Sequence, residues 1–103
     1  MKSITVTVVR IYLTEAGHQF TELMNCLHDE EKVMGVTAFR GIAGFGQSGH
    51  MHSSTLIDMS LDLPIVIEFF DRPEKVGAIL THLEKRIKPG SLISWAAQMN
   101  TQD

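Results

Sequence analysis

The chain has 103 residues, enough for one domain with one modest core. Nine basic and twelve acidic residues give a net charge of −3, and no basic tract stands out, so the electrostatic footprint of a nucleic-acid binder is missing. Cys26 is the only cysteine, which excludes an intrachain disulfide; no apolar run approaches the roughly 20 residues of a membrane span, and the opening residues are too short and too alternating for a signal peptide, so a reducing, cytoplasmic setting is expected.

Residues 4–13 are β-branched and aromatic with partial alternation, the pattern of a strand. Thr14 follows as a candidate N-cap. Phe20, Leu23, Met24 and Leu27 then recur at helical spacing, which predicts a helix over about residues 16–31 with Cys26 inside it. Gly35 is a turn residue, and residues 36–42 read as a second strand.

That strand runs into a segment rich in glycine and histidine, 41–54, whose Gly41, Gly44, Gly46 and Gly49 argue against a regular strand. Residues 63–70 are the most strand-like run of the chain. Asp71, Pro73 and Glu74 form a helix-start pattern, with Asp71 as N-cap and Glu74 at the capping-box position. Val76, Ile79, Leu80, Leu83 and Ile87 supply the apolar stripe. Lys85, Arg86 and Lys88 gather where the helix dipole favours cations, and Pro89-Gly90 stops the helix. Residues 92–99 are the last strand, and 100–103 are expected to fray.

The order is βαββαβ. Right-handed crossovers place both helices on one face of a four-stranded antiparallel sheet, an α+β ferredoxin-like sandwich formed by a single domain, 1–103. Both parities of its strands are apolar: Val6 and Val8 against Val9 and Ile11, and Ile65 and Ile67 against Val66 and Phe69. A sheet covered by helices on one face alone should be polar on the other. The apolar second face therefore predicts subunits packed sheet to sheet.

The candidate chemistry lies in the loop. Its glycines permit positive φ and close backbone approach, so successive N–H groups can form an anion nest; a β-bulge with a flexible loop is the alternative. His50 and His52 flank Met51. In an extended segment their rings share a side and can hold a metal; otherwise they are polar loop residues, and His18 or His28 joins them only through folding. Arg10 and Arg40 are charges on apolar strands, each needing a partner. A salt bridge with Glu68 or Asp71 is the preferred reading for Arg10, while Arg40, beside the loop, suits either a salt bridge or an anionic ligand. Trp95 is expected in the sheet face or an interface, and Cys26 is expected as a small core residue rather than a nucleophile. No catalytic motif is present. A small enzyme would need an acid–base pair such as Glu68 and His52.

Gly35-Val36-Thr37 followed by Gly44-Phe45-Gly46-x-x-Gly49-His50 resembles the PII signalling proteins at the same place in a βαββαβ chain. The match is closer to the PII-like family called domain of unknown function 190. The residues that carry it are Arg40-Gly41-Ile42-Ala43-Gly44-Phe45-Gly46, Met51-His52-Ser53, and Asp62-Leu63-Pro64-Ile65-Val66-Ile67-Glu68 before Asp71.

The resemblance implies a homotrimer with ligand clefts between subunits. It also implies an adenine nucleotide as ligand, no catalysis and no bound cofactor beyond that nucleotide. The loop, mobile over 44–60, would report occupancy to a membrane transporter or an enzyme. By position it puts Thr37, Gly44, Phe45 and Gly46 in the cleft, with Arg40, Gly41, His50 and His52 nearby. The PII glycine turn ending in lysine is replaced by Lys88-Pro89-Gly90-Ser91, and the PII lysine at the third strand is absent around Pro64 and Ile65. The only tyrosine is Tyr12, so uridylylation of a loop tyrosine is not expected. A mono- or diphosphate adenine nucleotide, or another small anion, fits this pattern better than a triphosphate. The alternative function is a trimer binding a divalent metal through His50 and His52, similar to the divalent-cation tolerance proteins.

Overall fold

The computed structural model describes residues 1–14, 18–45, 52–53 (backbone only) and 63–102. Three long apolar strands dominate it: β1 (Lys2–Thr14), β5 (Pro64–Asp71) and β6 (Leu92–Thr101), joined by the shorter β2 (Gly35–Arg40). They form a four-stranded sheet in the order β2-β5-β1-β6, every neighbour antiparallel. With α1 (Phe20–Asn25) and α2 (Pro73–Leu83) this is the expected ferredoxin-like sandwich. A second, two-stranded ladder pairs β3 (Ala43–Gly44) with β4 (His52–Ser53).

Strand alternation decides which side chains meet the helices. Val9 and Ile11 of β1 lie opposite Phe69 and Ile67 of β5 and are fully buried against Leu23, Leu27, Val76, Ile79 and Leu83. Phe69 thus shares its face with Ile65 and Ile67 and not with Val66, because it stands two positions from Ile67 and three from Val66. Both helical stripes read from spacing are the ones that pack.

The helix boundaries differ from expectation for local reasons. Thr14 does not cap α1; it ends β1, paired with Pro64. The helix begins at Phe20 after Gln19, and from Cys26 to Glu30 it widens into a π turn, in which the Glu31 N–H donates to the Cys26 carbonyl at 2.9 Å. Lys32 then turns left-handed at φ 53°, the usual way out of a helix.

Asp71 is not the N-cap of α2 either. Arg72 holds that position without a side-chain cap bond, and Asp71 is the buried last residue of β5. Its carboxylate accepts from the Arg72 N–H at 2.7 Å, the Met34 N–H at 3.1 Å and Lys75 Nζ at 3.1 Å. Lys75 also donates to the Lys32 carbonyl at 2.8 Å, so one buried acid ties the start of α2 to the approach of β2. The helix ends at Leu83 rather than among the basic residues, yet Ile87 still packs on the core. β6 continues through Thr101, paired with Lys2, so the strand takes up two residues of the tail expected to fray.

Candidate functional site

The face of the sheet away from the helices is largely apolar, as the parity of its strands led one to expect, with one polar row across it. The pairing registers place three rows across it: Gly35, Phe70, Val8 and Trp95; Thr37, Glu68, Arg10 and Ile93; and Phe39, Val66 and Tyr12. Trp95, Ile93, Phe39 and Tyr12 are each between 40% and 47% exposed, far more than a sealed face would leave. Gly35 belongs to this face by necessity: an added Cβ would stand 2.6 Å from Phe70 Cε1.

One ion pair sits in the middle row. Arg10 Nε donates to Glu68 Oε1 at 2.8 Å, and the guanidinium carbon lies 5.6 Å from the Trp95 ring centroid. The bond to Glu68 holds the Arg10 guanidinium above its ordinary range. Of the two partners weighed for Arg10, the structure selects Glu68. Thr37 is Glu68's neighbour in the same row, with its side chain exposed.

The loop begins at the end of this sheet. Gly41 donates its N–H to the Pro64 carbonyl at 2.7 Å, and Gly44 pairs with His52. The glycine segment was expected to exclude a regular strand. It holds a short ladder instead, because Ala43 and Gly44 find backbone partners in Ser53 and His52.

Pro64 explains why glycine stands at Gly41: a Cβ there would come within 2.8 Å of Pro64 Cγ, and one on Gly44 within 3.3 Å. Gly41→Ala should therefore cost about 1–3 kcal/mol of stability by overpacking. Adding Pro64→Ala should return most of that loss, since it removes the colliding atom. Thermal unfolding of the two single variants and the double variant checks this, and additive losses would refute the contact.

Phe45 stands 69% exposed just beyond the ladder. Gly46 and His50 lie outside the described residues, and of His52 only the backbone is described. The metal alternative therefore cannot be built from described side chains. Among those, no group of three or more His, Cys, Asp or Glu is placed to hold an ion. The acid–base pair of the enzyme reading has its acid committed to Arg10. His28 bonds Asp29 at 2.7 Å on the π turn. Cys26 is buried, and burial pushes its thiol up, the opposite of an activated nucleophile.

Thr37 and Arg40 separate by parity. Thr37 opens on the sheet face, whereas Arg40, with Ala38, lies on the helix-side parity opposite Ile65 and Ile67. There it lines a cleft of about 460 Å³ together with His18, Phe20, Thr21, Ala38, Phe39 and Ile65. Sequence reasoning missed this cleft. Its two walls, one around Phe20 and one around Arg40, are far apart in the chain and meet only in the fold.

A four-stranded βαββαβ sheet with helices on one face, and a glycine-clamped loop running from edge strand β2 to β5, is a ferredoxin-like fold, the one found in PII-like proteins. The chain belongs to the DUF190 family, whose model, described as uncharacterized ACR, matches residues 6–99. It is 31% identical over 94 residues to the UPF0166 protein MJ1524 of Methanocaldococcus jannaschii, covering 87% of this chain and 86% of that one. A UPF0166 protein of Aquifex aeolicus is 27% identical over 88 residues, covering 82% and 84%. Among solved structures, CPII, a nitrogen regulatory PII-like protein of Thiomonas intermedia K12 solved with ADP, AMP and bicarbonate, superposes with a TM-score of 0.68 at 20% identity, covering 97% of this chain and all of that one. No helix among the described residues is long and apolar enough to cross a membrane.

Proposed function

We propose that this chain is a PII-like regulatory protein and not an enzyme. In this reading three copies pack sheet to sheet in the cytoplasm, and an adenine nucleotide binds in the clefts between them. The observation that carries it is the half-exposed apolar sheet face with the Arg10–Glu68 pair and Thr37 in its middle row, beside the loop base clamped on Pro64. A guanidinium carries five N–H donors, so Arg10 has capacity for an anionic group beyond Glu68.

Thr37, Gly41, Gly44 and Phe45 form the edge of the cleft in this reading, with Gly46, His50 and His52 further along the same segment. The nucleotide found with CPII supports the ligand class. Segment 44–60 then conveys occupancy to a partner, a membrane transporter or another enzyme, by a change of order on binding.

The test is thermal unfolding with AMP, ADP, ATP and cyclic AMP in turn. A ligand at one hundred times its Kd should add about 2.7 kcal/mol of stability. AMP or ADP should act more strongly than ATP, and a flat response to all four nucleotides sinks the nucleotide reading.

A further inference from the structure

The outer strands of the sheet, β2 and β6, each keep one side without a strand partner among the described residues. Such an edge presents a row of unpaired backbone N–H and C=O groups, which single subunits blunt with charges, proline, a bulge or a short length. β6 uses none of these. It runs ten residues, Leu92–Thr101, without a charged residue or a proline. Its register against β1 advances without a break from Ile11–Leu92 to Lys2–Thr101, so no bulge turns it away. β2 has six residues, and its only charge is Arg40 at the end.

Backbone alternation decides which groups face the open side. The Tyr12 N–H donates to the Ser91 carbonyl at 2.8 Å, one position beyond the Ile11–Leu92 pair. Tyr12 and Ser91 are therefore a hydrogen-bonded pair, and the alternation turns the N–H groups of Leu92, Ser94 and Ala96 away from β1. On β2 the Gly41 N–H reaches the Pro64 carbonyl at 2.7 Å, which by the same count turns the Val36 and Ala38 N–H groups outward. The side chains of Ser94 and Ala96 are small and exposed, on the helix-side parity opposite Val9 and Thr7.

Direction selects the occupant. Every neighbouring pair in β2-β5-β1-β6 is antiparallel, so the two edges of the sheet run in opposite directions. A copy related by rotation about an axis along the strands, on the side of the open face, brings its β2 antiparallel to β6. The same contact then repeats around the axis, and a closed ring has no edge left. A second copy fits better than a foreign peptide, because one chain carries both edges and their directions match.

We infer that β6 of one copy pairs antiparallel with β2 of the next, and that this strand completes the sheet-side cleft. The inference rests on the three-copy reading above and specifies its contact. Side chains alternate between faces, so the pairing sets the Ile93 and Trp95 face of β6 beside the Thr37 and Phe39 face of β2 in the neighbouring copy. Thr37 and the loop base at Gly41 thereby gain a wall from the partner subunit's Trp95. Within one chain the same strands stand at opposite edges, with β5 and β1 between them.

Hydrogen exchange on the full chain reads the pairing directly. In the wild type the Val36, Ala38, Ser94 and Ala96 amides should exchange about a hundredfold or more below the unstructured rate, although each points out of its own sheet. Ala96→Pro removes one outward N–H and leaves the β1 ladder whole, since an edge tolerates proline where the N–H faces outward. The variant should give single chains in sedimentation equilibrium, lose protection at Val36 and Ala38, and lose stabilisation by ADP. Ala96→Val, which keeps the N–H, should behave as the wild type. Ser94→Pro tests the same edge where circular dichroism shows Ala96→Pro unfolded, and the wild-type exchange pattern decides alone where neither folds.

Fast exchange at all four amides in an assembled wild type overturns the inference, as does a folded Ala96→Pro protein that stays trimeric; either leaves the sheet-face trimer standing. A single-chain Ala96→Pro protein still stabilised by ADP overturns completion of the cleft by the neighbouring strand. A monomeric wild type overturns the three-copy reading and this inference together. Failure of ADP to stabilise an assembled wild type with protected edges overturns the nucleotide reading and leaves the strand pairing standing.

Discussion

Phe69→Ala should destabilise the protein by about 3–5 kcal/mol and lower its melting temperature by roughly 12–40 °C. Phe69 has no exposed surface. It lies in β5 between Val9 and Val36 and faces the helices, so truncation leaves a cavity that strands on both sides prevent from collapsing. Phe45→Ala and Ile42→Ala provide the contrast. These side chains are 69% and 79% exposed, and each change should stay within about 0.5 kcal/mol. Thermal or urea unfolding of the three variants checks the ranking. A large loss from Phe45→Ala would mean that Phe45 is a structural residue, and its proposed place at the cleft would go. A small one leaves a large aromatic side chain at the loop base with no role in the stability of the fold, which is what a ligand contact requires.

The features legible in the sequence were those that depend on local pattern. β5 was placed within one residue of each end, because Ile65, Ile67 and Phe69 alternate with half-buried neighbours and Pro64 marks the start. The stripe of α2 was correct even though its cap was not. Asp71 has the right residue type for a cap, but it serves as a buried acid whose partners, Met34 and Lys75, come from two different parts of the fold. No spacing rule shows that Met34 will arrive there.

The π turn escaped for a related reason. Leu23 and Leu27 keep the same face whether the turn closes on four residues or five, so periodicity does not register the widening.

At the candidate site, the salt bridge of Arg10 was anticipated and its partner was left between two acids. Register settled it, because Arg10 and Glu68 are directly opposite while Asp71 pairs with Thr7. Gly41 was read as permissive of unusual φ. What fixes glycine there is instead the Pro64 ring, a contact between segments more than twenty residues apart. The resemblance puts Thr37 in the cleft with Arg40 nearby, and the register sets the two on opposite faces of β2, which no sequence motif reveals.

The proposed sheet-to-sheet trimer makes its own demand on Trp95. Trp95→Lys should convert a trimer into single chains of 11.5 kDa while leaving the helix-side core folded. Trp95 is on β6, an edge strand, 40% exposed and beside the Arg10 guanidinium. In an isolated subunit a lysine there extends into water, and the change costs mainly the packing of the indole. Between packed sheets the ammonium must either be buried or push the sheets apart, and its nearest charge is another cation. An uncompensated buried charge costs roughly 3–5 kcal/mol, about a hundredfold or more in each contact's association constant. Sedimentation equilibrium of the wild type and the variant, with circular dichroism to verify folding, gives the answer. A wild type that is already monomeric overturns the assembly, and a Trp95→Lys protein that stays trimeric moves the interface off this face. Loss of assembly with the fold retained, accompanied by loss of stabilisation by ADP, would tie the nucleotide cleft to the contact between subunits, because a site formed within one chain would survive the separation.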